Sequence, residues 1–197
     1  LLLYTLIGSW VWRKRLLLVG SYLFYAAWNP PYVAILAFSN VMDWWLARRL
    51  ASAEAPATRK LLLLTSVGAN LGLLGFFKYG TFVLANFQAL LANIGIVYVP
   101  PEFSIILPVG ISFYTFASLS YTVDVYRREI RADASLSDYA LFVSFFPHLV
   151  AGPIVRARLF LPQLQTPRSA SKDQLGWGMA LLVIGLFAKV VMADGML

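Results

Sequence analysis

The sequence predicts an all-α fold, a polytopic bundle of transmembrane helices that includes a re-entrant segment. Of its 197 residues, 60% are hydrophobic and 13% are charged, whereas a soluble domain has about 45–50% apolar and about 25% charged residues. The apolar residues form long blocks, and the basic residues stand in short clusters between them. Both patterns are typical of helices that cross lipid.

The composition also excludes several kinds of site. The chain contains no Cys, so a disulfide framework, a thiolate metal site and a cysteine nucleophile are all excluded. With a single His, a histidine-rich cluster is excluded as well, and we predict no metal. The net charge is +7, but the basic residues do not line one face, so we do not expect nucleic acid as a partner.

The order of apolar blocks predicts one transmembrane domain over residues 1–197. Basic clusters at 13–15 and 48–60 are expected on the cytoplasmic side by the positive-inside rule, and Ser171 with Gln174 forms a capping box that begins the last helix. The chain opens inside an apolar run and has no polar tail, so we expect the N-terminal part of a longer protein. The predicted spans are about 1–12, 16–28, 31–47, 61–77, 108–126 and 172–193.

Residues 79–95 have two interpretations. Apolar residues recur there at helical spacing, but Asn86, Gln88 and Asn93 interrupt them. This pattern predicts a helix in the headgroup plane or, equally, a plain spanning segment.

Residues 138–153 predict the re-entrant segment. Ser135 and Asp138 match a capping box, but only about a dozen apolar residues follow, and at 1.5 Å per residue they cannot cross a core of roughly 30 Å. Pro147 lies inside this run. Broken backbone at membrane depth must lie against protein or a water-filled cavity, so we expect this segment to line one.

His148 is the most informative side chain, because ionisable groups inside membrane segments are rare and usually face a cavity or a partner. One interpretation is a proton acceptor. The other, which we favour, is a structural residue that hydrogen-bonds neighbouring backbone.

Other polar residues lie on predicted helices. Asp43 is expected to pair with a basic neighbour or to join a polar cluster. Asp124 and Arg127 are spaced for a local ion pair, which we favour over the alternative of an anionic ligand. One helical face carries hydroxyl groups, which indicates interhelical hydrogen bonds in preference to a channel wall; its members are Ser112, Thr115, Ser118, Thr122 and Tyr126.

Three stretches together resemble the membrane-bound O-acyltransferase family, in its alginate O-acetyltransferase branch. They are LPVGISFYTF at 107–116, VDVYR at 123–127 and FFPHLVAGPI at 145–154. GFFKY at 75–79 and KVVMAD at 189–194 are similar to that branch in order and spacing, so the resemblance covers nearly the whole chain.

The resemblance implies a multi-pass enzyme of the bacterial inner membrane, with helices in a curved ring around a thin, funnel-shaped centre. It implies acetyl transfer from acetyl-CoA, used as donor substrate with no bound cofactor, to hydroxyls of an exopolysaccharide such as alginate. The implied partners are membrane lipid and either the polysaccharide acceptor or periplasmic acetylation proteins.

The family's main catalytic histidine lies in a Trp-His-Gly motif that is absent from these 197 residues. The resemblance therefore implies that this part alone is inactive, and that its residues support the central funnel. The supporting candidates are His148, Arg127, Pro147, Gly152, Pro153, Ser112 and Tyr126.

The alternative function is a non-enzymatic membrane carrier or export scaffold, in which Gly152 and Pro153 form a gating break. Many carriers contain inverted repeats, and the two halves of this chain show no convincing match. This argues for the enzyme.

Overall fold

The computed structural model describes residues 2–98, 106–152, 155–167 and 170–195. Helices make up 80% of the described residues, and no strand occurs among them, which confirms the all-α prediction. The contacts divide the chain into two compact units, Leu1–Gln165 and Thr166–Leu197. A single transmembrane domain stays a prediction.

The first unit is organised around its third helix, α3, which packs against α2, α4, α5 and α6. Large apolar and aromatic side chains fill the core between them, including the fully buried Leu36, Tyr121 and Tyr139. The helices are α1 Leu2–Leu6, α2 Trp10–Trp28, α3 Pro30–Ser52, α4 Pro56–Asn93, α5 Ile111–Tyr126, α6 Leu136–Ser144, α7 Phe146–Ala151 and α8 Ala157–Gln165.

The basic triplet at 13–15 lies inside α2, which corrects the predicted boundary between 1–12 and 16–28. Lys and Arg are good helix formers, so charge alone does not end a helix. The break falls earlier, at residues 7–9. The charges are accommodated locally, because Arg13 Nε donates to the Ile7 carbonyl at 2.6 Å and Lys14 Nζ lies 2.6 Å from Asp138 Oδ1.

Helix α4 is continuous through the predicted boundary between 61–77 and 79–95. Lys78 and Tyr79 are compatible with a helix, and Gly80 lowers helix propensity by only about 1 kcal/mol. The 38 residues give a length of about 57 Å, well beyond a bilayer core of roughly 30 Å. The two predicted segments are therefore one helix, and its location relative to the headgroups stays a prediction.

Two further helix ends differ from the prediction. Helix α3 continues past residue 47 to Ser52, because Arg48 and Arg49 extend it and lie over the rings of Trp44 and Trp45. Helix α5 begins at Ile111 and not at residue 108, because Gly110 caps it with a left-handed backbone (φ 71°).

Within the predicted segment 138–153, the described residues form two short helices, α6 and α7, separated at Phe145. Ser135 Oγ caps α6 by accepting from the Asp138 amide at 3.1 Å. The Asp138 carboxylate pairs with Lys14, so only one half of the predicted capping box forms. The break at Phe145 places Pro147 in the first turn of α7, where proline is tolerated because its missing N–H has no partner there in any case.

The second unit contains α9, Lys172–Phe187, which continues into a π-helical segment, Ala188–Ala193. The capping box of Ser171 and Gln174 is confirmed, with both bonds present at 3.0 and 3.2 Å. No described residue of this helix is buried. Lys189 pairs with Asp194 near its end.

Among the residues that the structure describes, two helices are long and apolar enough to cross a membrane: Pro56–Asn93, with a mean hydropathy of 1.6 in its most apolar window, and Lys172–Ala193, with 2.0. Helix α5, at 16 residues, is about 24 Å long.

Candidate active site around His148

His148 lies in the first turn of α7, directly after the Phe145 break. Its ring is half-buried and meets two aromatic rings edge-on, with centroids 5.2 Å from Phe145 and 5.5 Å from Phe160. Within the ranges that the structure describes, neither ring nitrogen has a hydrogen-bond partner. The favoured interpretation, a bond to neighbouring backbone, is therefore not seen there. An imidazole with a free nitrogen can accept a proton from a hydroxyl that reaches it.

A small cavity lies beside His148, between α5, α6 and α7. Its volume is about 20 Å³, enough for one water molecule. The wall is mainly apolar and aromatic; its members are Phe113, Tyr114, Ala117, Phe142, Val143, His148, Leu149 and Val155. A polar molecule here would find few competing partners besides the imidazole.

Two glycines allow the backbone to approach closely around α7. A Cβ at Gly110 would overlap the Leu149 carbonyl oxygen, and the φ of 71° is one that favours glycine. A Cβ at Gly152 would lie 2.7 Å from the Cα of His148 and 3.1 Å from the Pro147 carbonyl oxygen. Gly152 is thus required for the chain to fold back over the histidine.

A buried polar network joins α3, α4, α5 and α6 in the interior of the first unit. Asp43 accepts from Ser66 Oγ at 2.7 Å and from Asn70 Nδ2 at 2.8 and 2.9 Å. Ser66 also contacts Thr122 on α5 at 3.3 Å. Asp43 therefore joins a polar cluster, one of the two predicted outcomes, and no basic side chain in the described part of the chain forms an ion pair with it.

The hydroxyl face of α5 makes interhelical bonds. Tyr139 on α6 donates to Ser118 Oγ at 3.1 Å, and Ser66 on α4 contacts Thr122. Thr115 is also buried, while Ser112 is only half-buried. The favoured interpretation of this face is confirmed for Ser118 and Thr122.

A buried arginine contacts the C-terminal end of α5. Arg59 is buried there, and its guanidinium donates to the Tyr126 carbonyl at 2.8 Å and to the Leu50 carbonyl at 2.7 Å. Arg127 is exposed and lies 4.0 Å from Glu129. The expected local pair of Asp124 with Arg127 is therefore replaced, among the described residues, by this exposed pair with Glu129.

The structure divides the predicted site residues between the two ends of α5. Pro147, His148 and Gly152 lie together with Gly110 near its N-terminal end, and Ser112 precedes two residues of the cavity wall. Tyr126 is 14 positions further along the helix, about 21 Å away, and Arg127 follows it. Pro153 lies outside the described residues.

Sequence reasoning missed Arg59, Ser66 and Asn70. A signal existed for the last two, because polar residues spaced four apart in an apolar helix share one face. Nothing in the sequence distinguished Arg59 from the neighbouring exposed Lys60, since its role depends on carbonyls that only the fold brings to it.

Comparison with known proteins found close similarity to bacterial O-acetylases. The chain is 38% identical to the Probable alginate O-acetylase AlgI of Pseudomonas putida, over 98% of this chain and 39% of that protein. For the protein of the same name from Pseudomonas aeruginosa, the identity is 37% over 98% of this chain and 36% of that protein. The Peptidoglycan O-acetyltransferase of Helicobacter pylori is 35% identical over 92% of this chain and 38% of its own length.

No family model matches the chain, and no solved structure matches it. The chain spans about two fifths of the length of the curated relatives that it matches. Over that span, the chain is similar to alginate O-acetylases, which are proteins of the membrane-bound O-acyltransferase family. It is also similar to a peptidoglycan O-acetyltransferase.

Proposed function

We propose that this chain is part of a membrane O-acetyltransferase that modifies hydroxyl groups of a polysaccharide. The observation that carries the proposal is the similarity to O-acetylases over 98% of the chain. The relatives act, by their names, on alginate or peptidoglycan, and either class of glycan offers hydroxyl acceptors. An exopolysaccharide such as alginate, or a periplasmic protein that passes the acetyl group onward, is the proposed partner.

The proposed architecture is a multi-pass bundle in the bacterial inner membrane with a re-entrant α6–α7 segment. Helix α6 has nine residues, a length of about 14 Å, which is less than half a bilayer core. Tyr139 to Ser144 are all buried against protein, as broken backbone at membrane depth requires. A segment that enters and leaves on one side would thin the barrier between the two substrates.

Acetyl-CoA is the proposed donor, used as substrate and not retained. In the transfer, an acceptor hydroxyl oxygen bonds to the acetyl carbon, the carbon–sulfur bond breaks, and the hydroxyl proton ends on the departing thiol. By resemblance, the general base is a histidine of a motif that this chain does not contain. We assign His148 a supporting role, in which its free ring nitrogen holds an acceptor hydroxyl or a water molecule in the adjacent cavity.

The test is acetylation by the protein that carries this chain, assayed in membranes with labelled acetyl-CoA and isolated polysaccharide. Loss of a general base costs about 10²–10⁴-fold in rate, so His148→Gln should lower the rate by a smaller factor, about tenfold. The control is Leu159→Ala, which truncates an exposed side chain on α8 and should leave the rate unchanged.

Two outcomes would contradict the proposal at different levels. A wild-type rate in a stably inserted His148→Gln protein would remove the role of His148 and leave the function intact. No transfer of label by the unaltered protein, with export of polysaccharide impaired in its absence, would favour the carrier alternative.

A further inference from the structure

A second cavity lies at the opposite end of α5 from His148. It has a volume of about 440 Å³ and lies between the end of α3 and the loop that follows α5. Three arginines line it, Arg59, Arg128 and Arg131, and the acidic residue in its wall is Glu54. Three positive charges against one negative charge leave an excess of two.

Arg128 occupies a backbone position that normally favours glycine. Its φ is 61°, and it is the only non-glycine residue with positive φ in the part of the chain that the structure describes. Its amide donates to the Val125 carbonyl at 3.1 Å, and the amide of Glu129 donates to the Asp124 backbone carbonyl at 2.9 Å. This is the Schellman pattern that ends many helices, and glycine is its usual residue at this position. An arginine here is strained, and such strain is typical of functional positions.

None of the three cavity arginines forms an ion pair within the described ranges. Arg128 and Arg131 are exposed and form no ion pair with any described residue. Arg59 forms the inner wall, and its guanidinium donates only to carbonyls of the α3 and α5 ends, at 2.7 to 3.5 Å. Its charge therefore also faces the cavity without a carboxylate partner in the described ranges.

We infer that this cavity binds a phosphate-bearing anion. Arginine presents planar, paired donors that match phosphate oxygens, and such charge-assisted bonds are stronger than neutral ones. Arg128 and Arg131 are the binding groups, and Arg59 contributes charge from behind. The volume exceeds that of a single phosphate group, so a pyrophosphate or a phosphate with an attached group fits. The inference is independent of acetyl transfer and stands if the proposed enzyme activity fails.

The experiment measures binding of inorganic pyrophosphate to the purified, detergent-solubilised protein by calorimetric titration. Arg128→Gln keeps the strained backbone and removes the charge, and it should weaken binding about tenfold, as should Arg131→Gln. Arg128→Lys should retain part of the affinity. The matched control is Arg49→Gln, which removes an exposed positive charge near the same end of α3 but outside the cavity wall.

The Arg128→Gly variant distinguishes a ligand-binding arginine from a purely structural one. Because glycine suits the backbone at this position, this variant should melt about 2–4 °C higher while binding pyrophosphate as weakly as Arg128→Gln. A lower melting temperature with unchanged binding would overturn the inference.

The phosphate could belong to a soluble ligand or to a lipid headgroup, and a second arm separates the two. Native mass spectrometry with phosphatidylglycerol and phosphatidylcholine counts lipids that bind the unaltered protein and Arg128→Gln. Pyrophosphate binding that depends on Arg128 supports a soluble source, and phosphatidylglycerol binding that depends on Arg128 supports a headgroup. Equal weakening by Arg49→Gln, or no dependence on Arg128 in either arm, would overturn the site.

Discussion

The two ends of α5 are built on different principles. At the N-terminal end, Gly110 lets the backbone of α7 approach closely, and apolar and aromatic side chains enclose His148. At the C-terminal end, a buried Arg59 satisfies carbonyls of two helix ends, and further arginines remain unpaired beside a larger cavity. Side-chain size therefore decides the structure at the first end, and charge decides it at the second.

The largest expected effect is at the first end. Gly110→Ala places a Cβ against the Leu149 carbonyl and forces alanine into a left-handed conformation. We expect a loss of about 2–5 kcal/mol in the free energy of unfolding, measured by denaturant titration in detergent. Gly68→Ala is the control, because a Cβ there meets open space and alanine favours a helix. Equal stability of the two variants would show that the close approach is not required.

The next effect is at the second end. Arg59→Met keeps the length of the side chain but removes the donors to the carbonyls of α3 and α5. Charged hydrogen bonds contribute about 1.5–3 kcal/mol each to stability, with losses that are not additive. We expect a loss of about 2–3 kcal/mol in the free energy of unfolding, measured by the same titration. Lys60→Met, at the exposed neighbouring position, should leave it almost unchanged. Unchanged stability of the Arg59→Met variant would contradict the claim that charge organises this end.

The smallest effect tests the middle of α5, between the two ends. Tyr139→Phe removes the hydroxyl that donates to Ser118 and leaves the ring packed on Tyr121. We expect a loss of about 1 kcal/mol in the free energy of unfolding. Tyr79→Phe, at an exposed ring on α4, should change it far less. A loss above 3 kcal/mol would mean that this bond organises the polar network and is not merely one member of it.

The sequence predicted what depends on local chemistry. The capping box at Ser171 and the ends of the last helical segment agree with the structure, because the cap and the apolar run are adjacent in the chain. The break near Pro147 is predicted for the same reason. The all-α class followed from composition, and the hydrogen bonds of Ser118 and Thr122 followed from helical periodicity.

What the sequence could not predict depends on distant partners. The sequence predicts a helix end at 13–15, but Lys14 remains in the helix and pairs with Asp138, more than 120 positions away. In the sequence, Arg59 cannot be distinguished from an ordinary loop arginine, because the carbonyls that it binds come from the ends of α3 and α5, which only the fold brings together. The left-handed conformation of Arg128 runs against residue preference, so no propensity argument could have found it.

The position of Asp43 has a consequence for how the chain is made. The carboxylate leaves the ribosome 23 residues before Ser66 and 27 before Asn70, the donors that solvate it in the finished protein. In the proposed multi-pass arrangement, an α3 that entered lipid alone would expose an unsolvated acid, which is costly. The nascent helix is therefore expected to wait at the insertion machinery until α4 has emerged, so that the two are released into the bilayer as a pair.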